Sequence, residues 1–437
     1  MSRRNAGYAL AILFAINAMN FFDRQIGGVL AEPIRKEWNL SDGALGALGT
    51  AFTLLYAAVG IPLGRLSDRR PRKTILAIAV LAWSALTSLS AITRNFGQMF
   101  ATRLGVGLGE AACAPAGTSL IGDLYPAVRR ARALSIFMLG LPIGVALSYL
   151  VASFVAQAWG WRAAFLVAGL PGVACAVGAM FIVEPARGTA ETREVGSRRR
   201  EGSAWRVVLS IPTMWWLILS GALHNFNMYA LGSFLAPLLM RYHGATLRQA
   251  GLMSMITFGL AGIPGLLIGG ALADRLSARR RDGRLIVGVI AIAISAPLLL
   301  LALSRAPQST MAFVALASAG CMAMYVYYSS VYATVHDIVE PSLRGTAMAL
   351  YFFAMYVLGA SLGPLATGMT SDFFTRRAAA AAGFAHASGR ALEPFRGAGL
   401  HAAMYAIPIL SVALTAVLYA ATRTVGRDMQ RLENALS

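Results

Sequence analysis

Gly64-Arg65-Leu66-Ser67-Asp68-Arg69 and, 206 positions later, Gly270-Ala271-Leu272-Ala273-Asp274-Arg275 are two copies of one loop, each running on into further arginines. Each copy joins two hydrophobic segments of about the ~20 residues a helix needs to cross ~30 Å of hydrocarbon. A loop repeated between membrane-crossing segments marks a duplicated bundle of membrane helices. A second echo supports the duplication. Asp123-Leu124 followed by Arg130-Ala131-Arg132-Ala133-Leu134-Ser135 matches Asp337-Ile338 followed by Arg344-Gly345-Thr346-Ala347-Met348-Ala349, at an offset of 214. Both offsets map the nth segment onto the segment six later.

Composition agrees with a chain built for lipid. Of 437 residues, 57% are hydrophobic and 13% charged, with a mean hydropathy of +0.62, too little polar surface to coat a soluble globule. The pattern predicts an all-α membrane protein of twelve spans in two pseudo-symmetric six-helix halves, 1–183 and 211–437, joined by a charged cytoplasmic linker at 184–210. The long Ala- and Gly-rich connection 376–399 gives no readable structure. The net charge of +19 has the size of a nucleic-acid footprint, but most of the 38 Lys and Arg fall on the side carrying both termini. That is the positive-inside rule. It places both termini in the cytoplasm, names the lipid bilayer as partner and removes nucleic acid, and the expected location is a bacterial inner (plasma) membrane. The first 25 residues start basic and apolar, but Asn17, Asn20, Asp23 and Arg24 interrupt them, so they read as a retained first span rather than a cleaved signal. Cys113, Cys175 and Cys321 lie within spans as small hydrophobes. No hydrolase, kinase or metal-ligand spacing is present, which predicts no catalytic residue, no metal and no enzyme. A lipid-modifying membrane enzyme is the rival of a different class.

Residues 64–73 and 270–281 resemble the paired loop signatures of the Major Facilitator Superfamily. Arg103 with Gly107 is similar to that family's fourth-helix motif, and Gly140-Leu141-Pro142-Ile143-Gly144 to its fifth-helix glycine-proline motif. Asn20-Phe21-Phe22-Asp23-Arg24, and Arg103 through Gly107-Leu108-Gly109-Glu110-Ala111 to Pro115, Ser119 and Asp123, resemble the spinster branch. The resemblance implies a monomer whose two parallel halves rock about a central site, with helices 1 and 4 lining the cavity. It also implies that the twin loops form a cytoplasmic gate of Gly64, Asp68, Arg69, Arg72, Gly270, Asp274 and Arg275, in which Gly64 and Gly270 allow close helix approach.

Charges within spans cost ~2.5–3.5 kcal/mol each at a helix centre, so Asp23, Arg24, Arg103 and Glu110 need a reason. At ~1.5 Å per residue, Asp23 and Arg103 reach nearly the same depth on the first and fourth spans. They are expected to pair, with Glu110 on the face of Arg103 and Gly107 leaving that face open. A carboxyl group's proton affinity rises with burial and falls beside an arginine, so Asp23, Glu110 and Arg103 are the expected proton-coupling set, with protons as coupling ion and no other cofactor. The second half reads as free of charge within its spans, and there His224, Asn225, Asn227, Tyr325, Tyr328, Tyr351 and Tyr356 offer an aromatic, mildly polar wall. Together with Asn20, Arg24, Arg103 and Glu110 these are the candidate substrate contacts. Guanidinium forks suit a phosphate or carboxylate, and spinster relatives are associated with lysophospholipids and sphingolipids, so the expected substrate is a small amphiphile of that type. Proton-driven export of drugs or amphipathic organic anions is the alternative.

Overall fold

The computed structural model describes residues 3–186, 204–340 and 343–436. Among these the chain is helical: α1 (Arg3–Val29), α2 (Ala31–Trp38), α3 (Asp42–Arg69), α4 (Arg72–Leu89), α5 (Phe96–Glu110), α6 (Cys113–Leu124), α7 (Ala127–Met138), α8 (Gly140–Met180) and α9 (Ala204–Leu209) come first. They are followed by α10 (Pro212–Arg241), α11 (Leu247–Ser254), α12 (Gly262–Ser277), α13 (Gly283–Leu303), α14 (Thr310–Asp337), α15 (Arg344–Ala354), α16 (Leu362–Ala381), α17 (Glu393–Met404) and α18 (Ala406–Leu436). The expected linker falls mostly on 187–203, outside the described residues. The stretch 376–399, unreadable from sequence, continues α16 to Ala381 and re-enters helix at α17.

Ten helical stretches of the described residues are long and apolar enough to cross a membrane, against twelve expected. Two features account for the difference. Arg132–Met180 runs through two expected spans as one stretch, although its backbone leaves the helix at Gly160 (φ 83°, ψ 161°), a conformation that glycine alone adopts readily. The 30-residue α10 is not among the ten; it carries His224, Asn225 and Asn227 in mid-helix, which lower its apolar character.

Local sequence explains the helix starts. Asn95 accepts from the Gln98 amide at 2.9 Å to cap α5, and Thr246 with Gln249 forms a capping box at α11. Two spans change to π-helix, at Met255–Leu260 between α11 and α12 and at Met355–Ala360 between α15 and α16. A third breaks at Ala111 and Ala112, directly after Glu110.

The chain forms two compact units. Unit 1 holds Met1–Leu40, Ala47–Gly196 and Ala245–Met255, and unit 2 holds Ser41–Gly46, Ser197–Gly244 and Ile256–Ser437. In unit 1, Ile16, Val80, Trp83 and Val106 form an apolar core, and glycine sets the spacing of α1 and α8. A Cβ at Gly144 would lie 2.1 Å from the Ala18 carbonyl oxygen, and one at Gly140 would lie 2.9 Å from the Ala18 amide nitrogen. Gly107 works the same way. Instead of leaving a face open, it receives the backbone of Phe52 on α3, whose oxygen would meet a Cβ at 2.5 Å. In unit 2 the close approach belongs to Gly265 and Gly269 rather than Gly270. Their Cβ positions lie 2.4 Å from the Met322 oxygen and 2.7 Å from the Ser329 hydroxyl, whereas the nearest atom to a Cβ at Gly270 is 4.0 Å away.

Small residues let membrane helices touch by backbone, so Gly144→Val is expected to lower stability by about 1–3 kcal/mol through overpacking. Gly270→Val, where there is room, should leave the melting temperature of the purified protein near wild type.

Candidate functional site

Asp23 and Arg24 stand in the last two turns of α1, Arg103 in the middle of α5, and Glu110 at its end, where the helix breaks. Asp23, Arg103 and Glu110 are 3%, 5% and 0% exposed. The direct ion pair is Arg24 Nε to Glu110 Oε2 at 3.1 Å, rather than Asp23 with Arg103. Arg24 lies over three rings: Tyr56 at 4.1 Å, Phe21 at 5.0 Å and Phe52 at 5.4 Å. Such a cage holds a desolvated guanidinium with about 2 kcal/mol of cation–π attraction. Arg103 is instead an electrostatic neighbour of Asp23. Its Nη2 donates to Ser90 at 2.8 Å and its guanidinium lies 5.0 Å from the Phe165 ring centre. Asn20 Nδ2 reaches the Glu110 carbonyl at 3.5 Å, a long hydrogen bond.

Glu110 Oε1 and Arg103 Nε are buried without a hydrogen-bond partner among the described residues, while Thr87 and Trp83 stand as donors beside the Asp23 carboxylate, at looser geometry than an ordinary hydrogen bond. Buried polar groups are normally satisfied, so the Glu110 oxygen stands out among the described residues. Sequence reading missed the aromatic cage, because Phe52 and Tyr56 on α3 look like ordinary core residues and only their approach to α1 gives them a role.

The residues predicted in the second half divide into two groups. His224 is fully buried with both ring nitrogens unpartnered. It stacks on Tyr327 (centroids 3.9 Å apart, 13° between planes) and meets Tyr328 edge-on at 4.8 Å. Tyr356 is half-buried and meets Tyr229 edge-on. Others serve packing: Tyr325 donates to the Phe258 carbonyl at 2.9 Å, and Tyr351 shares a 2.9 Å hydroxyl contact with Tyr327, itself 2.7 Å from the Ser220 hydroxyl. Asn227 donates to the Ile407 carbonyl and the Ser411 hydroxyl, tying α10 to α18, and Asn225 donates back to Gly221 in its own helix.

The expected gate residues also divide. Gly64, Asp68 and Arg69 fall within α3, but their side chains lie outside the described residues. Arg72 is a hub in unit 1. Its side chain is 1% exposed and it pairs with Asp123, donates from Nε to Glu184 at 2.9 Å and donates to Ser119 Oγ at 3.0 Å. Glu184 also accepts from the amides of Arg72 (2.9 Å) and Lys73 (3.2 Å), capping α4. The repeat recurs in unit 2, where Arg284 pairs with Asp337 and reaches Asp274 at 3.5 Å. Arg275 is exposed.

A network not foreseen from sequence lies in unit 2. Asp42, fully buried, accepts from Arg241 Nη1 at 2.9 and 2.8 Å and from the Ser371 hydroxyl at 2.6 Å. Asp372 accepts from the amides of Asp42 and Gly43 at 3.0 and 2.8 Å, capping α3, and faces Arg396 at 3.5 Å. Asp42 and Arg241 look like loop charges because they flank their spans, and Asp372 sits at the edge of its own.

Residues 13–364 match the Major Facilitator Superfamily. An MFS-type efflux pump of Mycolicibacterium smegmatis (strain ATCC 700084 / mc(2)155) is 31% identical over 85% of this chain and 86% of its own length. The sphingosine-1-phosphate transporter of Danio rerio is 28% identical over 83% of this chain and 76% of its own. The crystal structure of a bacterial homologue of the human lysosomal transporter spinster, inward-facing and unoccupied, superposes with a TM-score of 0.87 at 28% identity, covering 98% of this chain and 99% of that one.

Two measurements probe the charged clusters. Burial pushes the Glu184 carboxyl up, but the hydrogen bonds from Arg72 and the two amides outweigh it and hold it below its ordinary value of 4.5. Its contribution is therefore complete above pH 4.5 and lost as the pH falls through the lowered value, so Glu184→Gln should flatten the acid limb of a melting profile. Asp42→Ala or Arg241→Ala alone should cost about 3–5 kcal/mol by leaving a buried charge unanswered, and the double variant clearly less than their sum, read from denaturant unfolding in detergent. With twin loops, glycine motifs and helical architecture in agreement, the chain is a member of the Major Facilitator Superfamily and belongs with its spinster-like transporters.

Proposed function

We propose that the protein is a secondary active transporter, driven by protons and working by alternating access, whose cargo is an amphiphile with an anionic head, such as a lysophospholipid or a sphingolipid-like molecule. The observation that carries this reading is the pair of buried carboxylates, Asp23 and Glu110, each beside an arginine. Burial and a neighbouring guanidinium pull a carboxyl group's proton affinity in opposite directions. An anionic head that engages Arg24 would loosen its hold on Glu110 and favour proton uptake there. This exchange links cargo to proton without further groups. The transport of sphingosine-1-phosphate by a 28% identical relative supports a lipid-like cargo.

The same reading counts twelve crossings, taking α8 as two spans broken at Gly160 and adding α10. It sets both termini on the arginine-rich cytoplasmic side of an inner membrane, with 1–183 and 211–437 as the two halves. Arg72 with Asp123 and Glu184 in unit 1, and Arg284 with Asp274 and Asp337 in unit 2, are then read as the gate clusters of their halves, with Gly64, Asp68 and Arg69 on α3 and Gly270 and Arg275 on α12.

In proteoliposomes with an imposed pH gradient, Glu110→Gln and Asp23→Asn are expected to reduce gradient-driven uptake at least ten-fold while binding in the absence of a gradient persists. Wild-type pH dependence in both variants would sink proton coupling. A panel of lysolipids should raise the melting temperature of the wild-type protein, and the rise should shrink in Arg24→Gln. A panel that neither stabilises nor competes argues against the lipid cargo while leaving proton coupling to its own test.

A further inference from the structure

The end of unit 2 that carries the α12–α13 turn holds a groove that no transport step uses. It has a volume of about 480 Å³ and is lined by Arg281 from that turn and by Thr422, Arg423, Arg427 and Gln430 from α18. Three arginines line this open groove, from segments about 140 residues apart in the chain. Their counter-charges are few. Asp282, also on the wall, is held by Arg280 through two 3.0 Å hydrogen bonds. Arg281 pairs with Glu433 at 2.9 Å, but both side chains are about half exposed and can exchange partners. Arg423 uses one amino group on the Tyr419 hydroxyl at 3.2 Å and lies over that ring. Arg427 has no partner among the described residues.

We propose that this groove binds a phosphate-bearing anion, with Arg423 and Arg427 as its fork and Arg281 closing over it. Guanidinium groups one helical turn apart present parallel donors to phosphate oxygens, and Gln430 supplies a neutral donor at the wall, the Thr422 hydroxyl donating instead to the Tyr419 carbonyl at 2.6 Å. The positive-inside rule explains arginines anywhere on this side; it does not require three of them to line one groove whose own carboxylate, Asp282, is held by Arg280. The location suits a lipid. The apolar run of α18 ends at Ala421, and Tyr419, 53% exposed, is placed like the tyrosines that mark headgroup level. The phosphate comes either from an anionic lipid headgroup or from a soluble phosphate, and the two sources separate by experiment. Because Arg281 and Asp282 follow closely on the end of α12, which carries Asp274, an occupant would restrain that helix end.

The test uses the full chain in phosphatidylcholine nanodiscs, with and without phosphatidylglycerol, and separately with inorganic pyrophosphate at fixed ionic strength. Melting temperature and lipid retained in native mass spectra are the readouts. One surface arginine is worth roughly five-fold in attraction to an anionic lipid, so Arg423→Gln/Arg427→Gln should weaken binding on the order of twenty-fold. Arg431→Gln, with a side chain 74% exposed and off the groove, should leave it unchanged. All variants must melt like wild type in phosphatidylcholine alone, and Arg427→Lys, which keeps charge but loses the fork, should weaken binding by less. A response to phosphatidylglycerol alone assigns the site to a lipid; a response to pyrophosphate alone assigns it to a soluble anion. No response to either, or an equal loss in Arg431→Gln, overturns the proposal.

Discussion

A charge inside a membrane helix has to be answered by another group, and α1 carries two in succession, Asp23 and Arg24. The answer for Arg24 comes from Glu110, the last residue before the fourth span breaks, and from the rings of Phe21, Phe52 and Tyr56. Much of unit 1 follows from making that meeting possible. The glycines at 140 and 144 seat α8 on α1, and Gly107 brings α3 against α5 so that Phe52 and Tyr56 reach the guanidinium. The pair is thus fixed by backbone approach on several sides, and a change of backbone spacing at any of those glycines would be felt at the carboxylate.

The two halves inherited one device and diverged in another. Both retain an arginine at the start of one helix gripping an aspartate at the end of the next, Arg72 on Asp123 and Arg284 on Asp337. In the interior they differ: unit 1 sets the Arg24–Glu110 pair under a cage of rings, whereas unit 2 holds, besides the buried Asp42–Arg241 pair, a histidine between tyrosines and a chain of hydroxyl contacts. A duplicated protein can keep symmetric clamps and still furnish its two interiors differently.

Residues whose cost is intrinsic were legible in the sequence. Asp23, Arg24, Arg103 and Glu110 stood out because a charge in an apolar run has no cheap explanation, and the twin loops stood out because glycine and aspartate recur at fixed spacing. The arrangement was not legible. Which arginine meets which carboxylate depends on rotation of α1 about its axis, and one residue, about 100° of turn, separates Asp23 from Arg24. The Asp42 network escaped for a different reason: its members lie at span ends, where charge is ordinary, and only packing reveals that Asp42 and Arg241 are buried. Tyr325 and Tyr351 were visible as aromatics, but whether a ring faces a cavity or a glycine notch is decided by the neighbouring helix.

The π-helical stretches at Met255–Leu260 and Met355–Ala360 act as frame shifts in their helices. Each widens one turn by a residue, so a stripe drawn along α11 does not continue as the same stripe along α12, and likewise from α15 to α16. A mutational scan along either span would show its 3.6-residue rhythm change phase there. Deleting one residue within the widened turn would restore an unbroken rhythm and leave everything beyond it facing the same side, so only the widened turn itself would be lost.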